Sequence, residues 1–167
     1  MFTSIEHFKG AWKYEMESTG KIFGALSDAS LKQSVAKDHR TLGRMAWHLT
    51  QTIPEMAGRT GLKVDGPGEK EPVPTSASAI KKAYDMAAAS LLEQVTRNWT
   101  DESLGIEDNM YGENWKRGST LAALISHQIH HRAQMTVLMR QAGLAVPGIY
   151  GPSRDEWGQY NMPAPEI

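Results

Sequence analysis

The chain has 167 residues, and its 18 Lys and Arg stand against 19 Asp and Glu for a net charge of −1. That balance excludes the cationic stripe of a nucleic-acid-binding surface. A mean hydropathy of −0.46, with no apolar run long enough to cross a bilayer, argues against a membrane protein. The absence of cysteine removes disulfides, thiolate nucleophiles and cysteine-based zinc sites.

Length suits one domain over residues 1–167 with a core of its own. The first ten residues lack the apolar stretch of a signal peptide, so the expected location is the cytoplasm. Thr3-Ser4-Ile5-Glu6 has the spacing of a helix capping box. Ile5, Phe8, Trp12, Met16, Thr19, Phe23 and Leu26 follow at steps of three or four, predicting an amphipathic helix that ends near Ser27. After a polar stretch, Leu42, Met45, Leu49, Ile53 and Met56 repeat that spacing, with Pro54 expected to kink or end the second helix. Residues 62–75 contain Pro67, Pro72, Pro74, Gly66 and Gly68 and read as a long loop.

Thr75 or Ser76 then caps a third helix, whose stripe is Ile80, Tyr84, Ala87, Leu91 and Val95 and which runs to about Asn98. Asp101 to Gly118 reads as an irregular connection. Ser119 or Thr120 caps a fourth helix that closes at Gly143, and a proline-rich tail follows in irregular form. No strand alternation of useful length and no internal repeat appear. The expectation is an all-α chain: a single four-helix bundle with long connections between helices 2–3 and 3–4.

Six histidines occur: His7, His39, His48, His127, His130 and His131. On a helix, His127 and His131 lie about 40° apart around the axis. Their Cβ atoms are then roughly 5–6 Å apart, which lets two imidazoles reach one metal ion. Both fall within the stripe of Leu124, Met135, Leu138 and Ala142, so both are expected to point into the bundle and away from bulk water. Two neutral, hydrogen-bonded core histidines are the alternative, but a helical core offers few polar partners for them. His130 falls on the other side of His127 and reads as exposed.

Two histidines leave a zinc-type site incomplete, and a third ligand has to come from a facing helix. His48 borders the stripe of the second helix, whereas His39 and His7 fall on solvent-facing positions; an ordinary boundary histidine is the competing reading of His48. Glu55, two turns after His48, reads as a solvated residue beside Pro54, with a supporting carboxylate or a general base as the alternatives. The five tryptophans read as packing groups. Arg132 falls away from the histidine pair and is expected in a salt bridge or a subunit contact.

Leu42-Gly43-Arg44-Met45-Ala46-Trp47-His48-Leu49 and His127-Gln128-Ile129-His130-His131-Arg132-Ala133-Gln134 together resemble the DinB-like family of bacterial proteins. The segment Gly143 to Pro152 is similar to tails of that family, and the resemblance spans nearly the whole chain. Ala133 stands where the family usually has glycine. The resemblance implies a helical bundle with a three-histidine site at His48, His127 and His131, holding a divalent ion, zinc or nickel first, with iron or manganese as further candidates. It also implies a homodimer. Relatives include S-transferases and isomerases that use low-molecular-weight thiols, and metal-dependent hydrolases. The expected function is therefore that of a metal-dependent enzyme, the alternative being a non-catalytic stress-response protein in which the ion staples the helices.

Overall fold

A computed structural model of the chain describes residues 1–166. It is mostly helical, with α1 (Ile5–Gly24), α2 (Leu42–Arg59), α3 (Ala77–Asn98) and α4 (Arg117–Gln141), and it carries a two-stranded antiparallel sheet of β1 (Glu107–Met110) and β2 (Glu113–Lys116). The main helix contacts are those of α1 with α3 and α4, and of α2 with α3 and α4. That pattern places α1 across from α2, and α3 across from α4. Among the described residues, no helix is long and apolar enough to cross a membrane.

The core is the one the periodicity implies. Phe8, Trp12, Phe23, Leu49, Ile53, Ile80, Tyr84, Leu91 and Leu124 are fully buried. Trp12 joins two helices twice over, by apolar contact and by its indole N–H, which donates to Ala88 O at 2.9 Å. Burying a side chain of that size supplies about 1.5–3 kcal/mol and more.

Several boundaries differ from expectation. Ser4, one residue after Thr3, caps α1, and Glu6 pairs with Lys9 instead of returning to the cap. Neither Thr75 nor Ser76 caps α3 by a side chain; the Ala77 N–H is met at 2.7 Å by Asp28 Oδ1, from the turn after α1. α4 begins at Arg117, before Ser119 and Thr120, because the hairpin delivers the chain directly into the helix. At the other end, Gly143 (φ 73°) stands where a glycine was expected, and the N–H groups of Gly143 and Leu144 close back on Arg140 O and Met139 O.

Pro54 neither ends nor shortens α2, which continues to Arg59. Proline removes the bond to Thr50 O, yet its ring lies against Gly66 of the following loop. A Cβ on Gly66 would stand 2.9 Å from Pro54 Cγ and 3.1 Å from Ala87 Cβ, so glycine lets this loop pass between α2 and α3.

The all-α expectation is corrected by the hairpin. It turns at Tyr111 (φ 59°) and Gly112 (φ 94°), the two positive φ values of a tight two-residue hairpin loop. Arg117 holds it to the helices: the guanidinium donates to both carboxylate oxygens of Asp108, donates to Thr60 O, and lies 4.9 Å from the Trp99 ring. The tail is less irregular than expected, since Arg154–Tyr160 forms 3-10 turns. It is tied down by Tyr150, whose hydroxyl accepts from Arg132 and donates to Glu15. Arg132 does form a salt bridge, but a buried one: Nη2 stands 2.7 Å from Glu15 Oε2, and both residues belong to the interior.

Candidate metal centre

α2 and α4 are packed side by side, and His48 meets His127 along their shared edge. Their Nε2 atoms are 3.1 Å apart. One ring nitrogen from each of His48, His127 and His131 lies within 4.8 Å of those of the other two, which is a cluster able to hold a metal ion. Two nitrogens at about 2.0–2.1 Å from one tetrahedral ion stand about 3.3–3.4 Å apart, so the His48–His127 spacing is close to what one ion needs. The rings meet edge to face, at centroid distances of 4.5–4.9 Å.

The protonation states also fit a cation. Burial, reinforced by the Arg40 guanidinium and the two other imidazoles, lowers His48 to about 3. Burial and the neighbouring His131 and His130 lower His127 to about 4. His131 is lowered too, chiefly by burial. Neutral imidazoles keep a lone pair for a ligand. At His131 the ring is also oriented: Nδ1–H donates to Gln134 Oε1 at 2.7 Å, which leaves Nε2 as the donor to a metal. The Nδ1 atom of His127 is buried and has no partner among the described residues.

Register between the two helices is held by Gln128. Its side chain is fully buried and donates from Nε2 to Leu49 O at 2.9 Å, joining the residues that follow His127 and His48.

The expectation that His127 and His131 point into the bundle is corrected. Both are half-buried at the margin of the core, and so is His48. The buried face of α4 includes Gln128 and Arg132 as well as Leu121, Leu124, Met135 and Met139. Its centre is therefore about 90° from His127. His130 is exposed, as expected, with its ring 4.9 Å from that of His131; His7 and His39 are exposed and outside the cluster.

From this margin the histidines open on a cleft of about 600 Å³ that His48 and His127 help to line. Glu55 is on its wall and is not a freely solvated residue. Oε1 accepts from Arg59 Nε, and Oε2 accepts from the Tyr111 hydroxyl at 2.7 Å. Trp115 of β2 completes that side. Sequence reasoning passed over Arg40, Arg44, Gln51, Tyr111 and Gln134. The signals for two of them were present: Arg44 precedes His48 by four residues, and Gln134 follows His131 by three, so each shares a helix face with a histidine.

The model of the DinB family matches residues 1–163. The chain belongs to the DinB family. It is 44% identical over 167 residues to a Bacillus subtilis (strain 168) protein named "Uncharacterized protein YrdA", with both chains covered in full. It is also similar to the crystal structure of a DinB-like protein from Bacillus cereus ATCC 10987, at 46% identity and a TM-score of 0.87, covering 90% of this chain and all of that one. A second DinB-like structure, YjoA of Bacillus subtilis, shares the fold at 15% identity and a TM-score of 0.68, covering 88% of this chain and 99% of that one. The DinB resemblance read from the two histidine segments is thus borne out.

Proposed function

We propose that this DinB family chain is a metal-dependent enzyme that holds one divalent ion, zinc or nickel, on His48, His127 and His131 and acts on a small molecule in the adjoining cleft. The observation that carries this reading is the placement of the cluster. Three imidazoles converge at the margin of the core, and the group contains no fourth Cys, Asp or Glu donor among the described residues. Three protein donors would leave a bound ion room for a further ligand from the cleft, as in a catalytic site and not a closed structural one. When bound there, a divalent cation supplies Lewis acidity that lowers the pKa of a coordinated thiol or water. The chain's own part is to keep the imidazoles neutral by burial, to orient His131 through Gln134, and to fix the spacing of His48 and His127 through Gln128. Thiol S-transfer is the reaction we favour, with hydrolysis as the other use of the same device.

Elemental analysis of gently purified protein should find close to one divalent ion per chain. His48→Ala, His127→Ala and His131→Ala should each lower that content, and a variant that keeps it removes its residue from the ligand set. Metal-loaded protein incubated with epoxides or alkyl halides and a common cellular thiol should form the thioether. No turnover with any such thiol would end the S-transfer reading and leave hydrolysis.

A further inference from the structure

The cleft beside the histidines is electrically lopsided. At the hairpin end Arg59 is committed: it pairs with Glu55, and its guanidinium lies 4.3 Å from the centroid of the Tyr111 ring. Glu69 is on the same wall and acts on Arg59. The histidine end carries Arg40 and Arg44. Neither has a carboxylate partner among the described residues. Arg40 also lines a second hollow, of about 430 Å³, which opens on His131, so it stands between the two approaches to the cluster.

Arg44 is aimed, not merely present. Its Nη1 donates to Gln51 Oε1 at 3.1 Å. Gln51 is buried, and its Nε2 donates to the backbone carbonyls of Gly68 at 2.7 Å and Glu69 at 3.1 Å. Carbonyls accept only from the amide nitrogen, so the Gln51 oxygen is forced toward Arg44. A solvated surface arginine needs no such support. A guanidinium held this way keeps further N–H groups for a planar or tetrahedral oxyanion, which it grips by paired, charge-assisted hydrogen bonds.

We propose that Arg40 and Arg44 form an oxyanion subsite beside the three-histidine centre, and that the small molecule taken by this cleft carries a carboxylate or phosphate group. The proposal rests on the cleft being the substrate side of that centre. With neutral imidazoles the wall holds three arginines against two carboxylates, so it is cationic even before a divalent ion adds its charge. The paired Arg59 and Glu55 neutralise the hairpin end, and the anion is directed to the end where the histidines are.

Calorimetric titration of metal-free protein with inorganic phosphate, and separately with succinate, at constant ionic strength tests the subsite independently of the metal. Saturable binding of one anion per chain is expected for at least one probe, about tenfold weaker in Arg44→Gln and in Arg40→Gln. Arg154→Gln, an exposed arginine of the tail, should bind as the parent does. Phosphate binding alone points to a phosphate ester, and succinate binding alone to a carboxylic acid. Arg40 is on the exposed connection before α2, so Arg40→Gln decides the matter if Arg44→Gln fails to fold. No saturable binding by the parent, or affinity within twofold of it in both arginine variants, overturns the proposal. Metal content measured on the gently purified protein, before the ion is stripped for the titration, separates the two readings: metal without anion binding sinks only the subsite, and anion binding without metal sinks only the metal centre.

Discussion

The buried amide of Gln128 donates to the main-chain oxygen of Leu49 at 2.9 Å, tying α4 to α2 one residue beyond each of two facing histidines. Gln128→Leu removes that bond, but it also removes a buried Oε1 that has no partner among the described residues, and Leu49 O still accepts from Thr52 Oγ1. Stability should therefore change by no more than about 1 kcal/mol in urea denaturation. Metal affinity, read by competition with a chromophoric chelator, should fall by about 10–100-fold, because the ligand spacing is no longer held. Unchanged affinity would show that core packing alone sets the register.

Gln134 is exposed, and its oxygen accepts from His131 Nδ1. Gln134→Ala frees the ring to rotate and to change tautomer. The expected result is at least about tenfold weaker metal binding with thermal stability of the metal-free protein unaltered. A loss of stability in place of a loss of affinity would contradict this.

Arg132→Met strands the buried carboxylate of Glu15 and should cost about 3–5 kcal/mol in chemical denaturation. Adding Glu15→Gln should recover part of that loss, since no unpaired charge is then left inside. Tyr150→Phe keeps the ion pair and removes two hydrogen bonds, so a loss of about 1–3 kcal/mol is expected. Its stronger effect should be faster amide hydrogen exchange in the tail.

The histidines also set a pH dependence for the metal-free protein. His48 and His127 are held at about 3 and about 4 in the folded state, against an ordinary value of 6.5. Between those limits the unfolded chain binds more protons than the folded one, so stability rises with pH. Acidification from pH 7 should therefore lower the unfolding midpoint progressively below about pH 6.5, down to about pH 3. Replacing both residues with Gln should flatten that slope, and an unchanged slope would assign the acid sensitivity to other groups.

The helices were legible because Ile5, Phe8 and Trp12, or Ile80, Tyr84 and Leu91, repeat at helical spacing and are indeed buried. His127 and His131 were legible from their spacing of four residues, although they lie at the margin of the core and not within its stripe, whereas His48 was singled out chiefly by family resemblance. What escaped notice depends on contacts between distant segments. Asp28 caps α3 from 49 residues away, which no local pattern announces. Gln128 and Arg132 occupy core positions that apolar periodicity assigns to the other side of α4. The hairpin is built from Glu107-Asp108-Asn109-Met110 and Glu113-Asn114-Trp115-Lys116, strands too short and polar to alternate. Glu55 looked solvated only because the residue that covers it, Tyr111, belongs to that hairpin.

That hairpin gives the molecule a division of labour along its chain. The histidines sit on α2 and α4, where Gln128, Leu49 and the apolar interior tolerate little change. The opposite wall of the cleft hangs on four-residue strands, anchored at their base by Arg117 and ending in an exposed turn at Tyr111 and Gly112. Among the described residues, Tyr111 alone ties that tip to α2, through Glu55 and Arg59, and both of these stand at least seven residues beyond His48. A small cassette that shapes what enters is thus mounted on helices that hold the three imidazoles in place.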